Sequence, residues 1–287
     1  MLILKKSLGQ NLLFDENILN EIVTAGEITK DDIVLEIGCG TGNLTKILAQ
    51  HSKFVLGVEI DHNLCDILKE NMLPYDNVNI VKEDILKIDL KDLITNFFKK
   101  NNLSQINTNV KVVGNLPYYI TTPILIKLLK ERENFNTIVI MVQKEVAERI
   151  VAKSGSKIYG KLSLLVQYYA LPEIITKISA EAFSPKPKVD SALIKLKILP
   201  KPSVYVKDEE MFFSIIKAGF GGRRKMFKNT IKNALHLQED IILKAFNIAK
   251  IDAKSRAEDL DMDKFAVLSE EFTKVKMHCN ESLQKAK

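Results

Sequence analysis

The sequence predicts an α/β protein: a doubly wound, mostly parallel sheet within residues 1–199, followed by a small all-helical domain over residues 200–287. Three observations carry that prediction. Short runs rich in Val and Ile alternate with helical patterns from about residue 33 to 143, and alternation of that length implies right-handed crossovers between parallel strands. The runs are apolar on both faces, as strands covered by helices on both sides must be. Beyond Leu199-Pro200-Lys201-Pro202 the strand pattern stops and only helical periodicity remains.

Taken in order, strands are expected at IVLEI (33–37), FVLGVEI (54–60), VNIV (78–81), VKVVGN (110–115) and TIVIMVQ (137–143). Between them NLTKILAQ (43–50), NLCDILKENM (63–72), LKDLITNFFKK (90–100) and PILIKLLKER (123–132) space apolar residues so that they share one helix face. The Lys/Asn-rich run 95–109 reads beyond that helix as a connection, KEVAERIVAK (144–153) as a helix and SGSKIYGK (154–161) as a loop. PEIITKIS (172–179) and SALIKLKI (191–198), with the Pro-rich SPKPK between them, are expected to pair antiparallel at the sheet edge. The helical domain reads as EEMFFSIIKAGF (209–220), RRKMFKNTIKNAL (223–235), EDIILKAFNIA (239–249) and MDKFAVLSEEFTKV (262–275).

Composition narrows the function classes. Of the 287 residues 46% are hydrophobic and 27% charged, enough for a core but without an apolar run of membrane-spanning length. The N-terminus runs apolar first and basic second, the reverse of a secretory signal, so a cytoplasmic protein is expected. Cys39, Cys65 and Cys279 lie far apart with no histidine at ligand spacing, which argues against a disulfide frame and a metal site. The net charge of +6 is clustered: residues 222–232 hold Arg223, Arg224, Lys225, Lys228 and Lys232 without an acid, and residues 183–201 hold five lysines, Lys186 and Lys188 among them, against Asp190. Clustered cations of this kind are the footprint expected for nucleic acid.

The chemistry-bearing residues fall where these strands end. Glu36-Ile37-Gly38-Cys39-Gly40-Thr41-Gly42 joins the first strand to a helix, and its glycines let the backbone approach a ligand at a positive helix end. The turn is GxGxG, one residue shorter than the dinucleotide pattern, and Glu36 stands where that pattern usually has an apolar residue. Glu59 closes the second strand, where a carboxylate accepts ribose hydroxyls, and Asp84 ends the third, placed for the exocyclic amine of an adenine. The fourth strand delivers Asn115-Leu116-Pro117-Tyr118. The Asn115 oxygen and a backbone carbonyl held by Pro117 make two acceptors for one NH₂ group, which turns its lone pair toward an electrophile, while Tyr118 offers a ring to stack on the base. Tyr119 reads as packing.

With these motifs the sequence resembles the S-adenosylmethionine-dependent adenine-amine methyltransferases. Lys5-Lys6-Ser7-Leu8-Gly9-Gln10-Asn11, Gln143-Lys144-Glu145-Val146-Ala147-Glu148-Arg149, Tyr159-Gly160-Lys161-Leu162-Ser163, the stretch 182–192 (AFSPKPKVDSA) and Arg223-Arg224-Lys225 narrow the resemblance to the small-subunit (16S) ribosomal RNA adenine N6,N6-dimethyltransferases, over residues 5 to 260. The resemblance implies a Rossmann-like class I methyltransferase domain acting on two adjacent adenosines in the small ribosomal subunit, as a monomer. It implies that Asn11 and Leu13 contact S-adenosylmethionine and that Gly38, Gly40 and Glu36 pass its methionine part. Glu59 would take the ribose, Asp84 the adenine, and Asn115 both cofactor and substrate amine. Phe183 would stack on the target adenine opposite Tyr118, with Lys186, Lys188, Arg223, Arg224, Lys225 and Lys228 on RNA phosphates. Leu12 stands where relatives have Phe and Cys39 where they often have Pro; both are compatible with the chemistry.

The expected mechanism is direct displacement, with orientation and desolvation supplied by the protein and no histidine required. Three alternatives stand beside it: a large-subunit (23S) dimethyltransferase sharing the N-terminal motifs, an assembly or transcription factor on the same fold that has lost catalysis, and a nicotinamide oxidoreductase, which the GxGxG spacing and Glu36 disfavour.

Overall fold

The structure, a computed structural model, describes residues 10–103, 110–222 and 225–285, with side chains as far as residue 277. The chain divides into two compact units, residues 1–147 with 171–199 and residues 148–170 with 200–287.

In the first unit, β1 (Leu12–Leu13) and α1 (Glu16–Ala25) precede an alternation of β2 (Ile33–Ile37), α2 (Asn43–His51), β3 (Phe54–Glu59), α3 (His62–Met72), β4 (Val78–Lys82), α4 (Leu90–Lys100), β5 (Val110–Asn115), α5 (Thr121–Lys130) and β6 (Thr137–Gln143). Next come α6 (Lys144–Val151), which crosses into the second unit, and α7 (Lys161–Tyr169), then β7 (Ala170–Ile178), β8 (Phe183–Ser184) and β9 (Ser191–Ile198). The seven-stranded sheet has the order β4-β3-β2-β5-β6-β9-β7. β2 pairs parallel with β3 and β5, β3 with β4, and β5 with β6, whereas β9 runs antiparallel to β6. The strand order reverses between β2 and β5, so the crevice outside their carboxyl ends is where such a sheet accepts a ligand.

β7 is the edge strand beside β9. The segment between them is more than a turn: its β8 pairs antiparallel with β1, Leu13 opposite Phe183. Helices cover the sheet because every residue of β2 is buried, and one face packs Leu19, Ile22, Ile47 and Leu48 against Val34, Val55, Val113 and Val139. Burying these aliphatic side chains contributes about 1.5–3 kcal/mol each relative to exposure. At the amino-terminal end of β5 the buried Lys111 ammonium donates to Asp32 Oδ2 at 3.0 Å and to the Glu27 carbonyl at 2.6 Å.

The second unit adds α8 (Glu209–Gly219), α9 (Phe227–Leu235), α10 (Glu239–Ile248) and α11 (Met262–Lys285). A cut at Leu199 alone, as expected from composition, leaves residues 148–170 with the sheet; they instead group with the helices. The reason is aromatic. Tyr168 lies 4.9 Å from Phe212 between ring centroids, and the Tyr168 and Tyr169 hydroxyls both donate to Glu209. Phe227 stacks on Phe246 and meets Phe265 edge-on, closing the interior of this unit.

Candidate active site

The carboxyl ends of β2, β3, β4 and β5 open on one cleft, whose wall includes Gly38, Gly40, Glu59, Asp84 and the run Asn115-Leu116-Pro117-Tyr118, with Asn11 from the segment before β1. The sheet topology brings these residues together although they span more than a hundred positions.

The turn after β2 is left-handed at Gly38, Gly40 and Gly42, with φ of +78, +58 and +93°. At Gly40 glycine is required twice over: the φ disfavours a side chain, and a Cβ would stand 2.9 Å from Leu12 Cδ2. The Gly40 N–H donates to Glu59 Oε2 at 2.9 Å, and the Asp61 N–H to Oε1 at 2.8 Å. Burial pushes the Glu59 carboxyl up from its ordinary value, while these N–H groups hold it back. Each oxygen retains a lone pair, so the carboxylate is oriented and still able to accept hydroxyls. Asp84 uses Oδ1 to accept from the Leu86 N–H at 2.9 Å, and no described residue engages its other oxygen.

Behind the glycine turn, a cavity of about 40 Å³ is lined by Glu36, Leu13, Gly38, Gly40, Asn43 and Asn115. Glu36 is 1% exposed, and neither its Oε2 nor the Thr45 hydroxyl makes a hydrogen bond of normal geometry. Burial drives the Glu36 carboxyl up to about 7, the polarity of Thr45 and Cys39 opposes this, and the charge of Glu59 adds to it.

At the end of β5 the Asn115 Nδ2 donates to the Asn11 carbonyl at 2.8 Å. That bond assigns the amide: the nitrogen is committed, and Oδ1 remains as an acceptor. The Leu116 N–H donates to the Met141 carbonyl at 3.3 Å, while the Leu116 carbonyl accepts from no described residue. The Pro117 carbonyl accepts from the Ile120 N–H and from the Thr121 hydroxyl, both at 3.1 Å. The loop is thereby fixed at both ends, while Asn115 Oδ1 and the Leu116 carbonyl accept from no described residue. Tyr118 is half-buried, its hydroxyl 2.6 Å from Ser191 Oγ, and burial raises the phenol above its ordinary value.

A family model described as ribosomal RNA adenine dimethylase matches residues 1–274. The chain belongs to the ribosomal RNA adenine dimethylase family. The chain is 45% identical over 265 residues to ribosomal RNA small subunit methyltransferase A of Clostridium botulinum, covering 92% of each chain. It is 45% identical over 267 residues to the protein of that name from Clostridium acetobutylicum, covering 93% of each. Among solved structures it is similar to a dimethyladenosine transferase from Plasmodium falciparum, with a TM-score of 0.73, 28% identity, and coverage of 92% of this chain and 98% of that one. The 23S ribosomal RNA methyltransferase ErmE shares the fold at a TM-score of 0.69 and 23% identity, covering 92% of this chain and all of that one. This membership makes the chain a methyltransferase on a class I fold.

For an adenine dimethylase, the arrangement fits a methyl donor with hydroxyls and a cationic end. The orphaned Glu36 oxygen, the oriented Glu59 carboxylate and the space kept open by Gly40 are the observations that fit it.

Three expected site residues lie outside the cleft. Leu13 and Glu36 line the smaller cavity behind the turn. Phe183, 5% exposed, packs in the core beside Leu13 because the β1–β8 pairing sets the two side by side, so its ring is covered instead of facing the cleft. Conversely, Gln10, Glu83 and Tyr119 line the cleft although none of them was assigned a ligand contact from the sequence. Gln10 Nε2 donates to Asp61 Oδ2 at 2.8 Å, and Glu83 adjoins Asp84 in the VKED run. Tyr119, 57% exposed, is a wall residue and not packing.

The expected RNA contacts divide in three. Arg223 and Arg224 lie outside the described residues. Lys186 pairs with Glu181, and Lys228 with Glu239 at 2.7 Å. Lys232 binds the other Glu239 oxygen at 2.9 Å, and the two ammonium groups hold that carboxyl down at about 2. The acid that residues 222–232 lack thus arrives from the next helix. Lys188 and Lys225 are exposed and join no ion pair among the described residues. Among those residues no group of three or more His, Cys, Asp or Glu could hold a metal, and no helix is long and apolar enough to cross a membrane.

Proposed function

We propose that the protein transfers methyl groups from S-adenosylmethionine to the exocyclic N6 of two adjacent adenosines near the 3′ end of 16S ribosomal RNA, giving dimethyladenosine in the small subunit. The observation that carries this reading is the pair of unused neutral acceptors, Asn115 Oδ1 and the Leu116 carbonyl, beside a cleft lined with acids. The name and high coverage of the curated relatives favour the small subunit.

When bound, S-adenosylmethionine supplies a methyl group activated by its sulfonium. Glu59 would hold its ribose and Asp84 its adenine, while Glu36, Gly38, Gly40, Asn11 and Leu13 would surround the methionine end. Asn115 and Leu116 accept the two amine hydrogens of the target base, which weakens conjugation with the ring and presents the nitrogen lone pair. Tyr118 supports the base by stacking, worth ~1–3 kcal/mol. Phe183 is the proposed ring on the opposite side, which requires the β1–β8 pair to shift when RNA enters. A base in structured RNA must be swung out to reach such a cleft. Lys186, Lys188, Arg223, Arg224, Lys225 and Lys228 are proposed to meet phosphates, with affinity that falls as salt rises. The protein is read as a cytoplasmic monomer.

The test is to treat unmodified small subunits with enzyme and S-adenosylmethionine and map methylated adenines by mass spectrometry. Two adjacent dimethyladenosines in 16S RNA are expected. Methylation confined to large-subunit RNA, or none at all, overturns the reading.

A further inference from the structure

A ring that serves as a stacking platform has to be held at both ends. The backbone end of Tyr118 is fixed by the turn Tyr118–Ile120, through the Ile120 N–H and the Thr121 hydroxyl on the Pro117 carbonyl. The side chain still has two rotatable bonds, and half of it faces solvent or ligand. What fixes the far end comes from a different part of the chain: Ser191 Oγ, 2.6 Å from the phenol oxygen. Ser191 is fully buried, and Tyr118 is the partner of its hydroxyl.

The serine is itself immobile for reasons visible in the sheet. It is the first residue of β9, opposite Gln143 at the end of β6. The preceding Asp190 accepts from the Lys144 N–H through its carbonyl at 3.0 Å and from the Ala180 N–H through Oδ1 at 3.1 Å. Two turns that have no other business with the cleft therefore lock the position from which the hydroxyl reaches it. The antiparallel direction of β9 matters here. It brings the start of that strand to the edge where the parallel strands end, so a residue of the Asp190-Ser191-Ala192 run meets Tyr118.

We infer that Ser191 is a positioning residue for methyl transfer, acting through the Tyr118 hydroxyl to hold the ring at the angle at which it carries the target base. The inference rests on the reading of Tyr118 as that platform. Ser191 is fully buried and does not line the cleft itself.

The test is a double-mutant cycle with Ser191→Ala, Tyr118→Phe and the combination, together with Tyr118→Ala, on unmodified small subunits. Removing one neutral hydrogen bond from either end is expected to lower kcat about three- to tenfold. The double variant should be no slower than the slower single variant, because both changes remove the same bond. Dissociation constants for S-adenosylmethionine should stay within about twofold of wild type, whereas a purely structural role would change unfolding and leave kcat of the folded fraction intact. Tyr118→Phe alters a half-buried ring edge, so it carries the test alone if Ser191→Ala does not fold. Wild-type kcat in both single variants, or additive losses in the double variant, overturns the inference while an inactive Tyr118→Ala keeps the platform. Near-normal turnover in Tyr118→Ala removes the platform and the inference with it.

Discussion

Replacing Glu36 with Gln tests whether the acid behind the glycine turn is stored in protonated form in the cofactor-free protein. Glu36 lies in mid-sheet, opposite Gly57 on β3 and Val113 on β5, and is 1% exposed. Burial moves its carboxyl from an ordinary 4.5 to about 7. The native state then keeps a proton that the unfolded chain releases, so the stability contribution of this group falls as pH rises from 4.5 to about 7 and is constant above. At roughly 1.4 kcal/mol per pH unit, the full penalty is about 3 kcal/mol. Gln keeps the volume and carries no charge, so the variant lacks this slope. Its advantage over wild type should grow from roughly 1 kcal/mol around pH 5 to about 3 kcal/mol at pH 8. Urea unfolding of cofactor-free protein across that range, followed by far-ultraviolet circular dichroism, measures the difference. Stability curves that stay parallel from pH 5 to 8, or a variant that loses ground as pH rises, refute the reasoning.

Four further outcomes can be checked. Asn115→Ala should lower methyl transfer about 100-fold or more while S-adenosylmethionine and RNA still bind, measured by single-turnover methylation. Glu59→Ala strips the Gly40 and Asp61 N–H groups of their acceptor and should weaken S-adenosylmethionine binding about 10- to 100-fold by calorimetry. Lys111→Met leaves Asp32 without its ammonium and should cost about 3–5 kcal/mol in urea unfolding, far from the cleft. Lys188→Glu and Lys225→Glu should each reduce the salt dependence of RNA binding by about one in the log–log slope, with kcat at saturation retained.

Most of the sheet was legible because its strands are buried on both faces, so Val and Ile run through them without a polar break, and the glycine turn and Asn-Leu-Pro-Tyr mark their ends. What escaped has local causes. α7 is buried on several sides, at Ser163, Leu164, Val166, Tyr168 and Tyr169, and so shows little amphipathic contrast. α1 precedes the first strand, outside the alternation that organises the rest, although Asp15 caps it clearly. α11 runs ten residues past the last apolar position expected, through a polar stretch with no periodic signal. Long-range pairs leave no local trace: Lys111 and Asp32 are 79 positions apart, and Tyr118 and Ser191 are 73. The cover over Phe183 was not legible because the β1–β8 pairing that provides it involves strands of two residues each, too short for any pattern.

The type of acceptor at each strand end follows from the charges it has to face. Glu59, Glu83 and Asp84 all stand at the ends of β3 and β4, although the chain as a whole carries +6. A phosphate drawn into that company would meet like charge, and two unit charges about 5 Å apart at an effective dielectric near 20 repel by roughly 3 kcal/mol. On the proposed reading a nucleotide enters base first, its phosphates left to cations elsewhere, and the neutral rings of Tyr118 and Tyr119 line the cleft. The same logic explains why β5 ends in an amide and a carbonyl. A carboxylate at position 115 would accept a hydrogen more strongly, but it would also pair with a sulfonium in the ground state and lower its reactivity. It would lose the Nδ2 donor as well, setting a negative oxygen against the Asn11 carbonyl. On the proposed reading, Asn115 grips the amine while holding the N-terminal segment, because it is neutral and has two different ends.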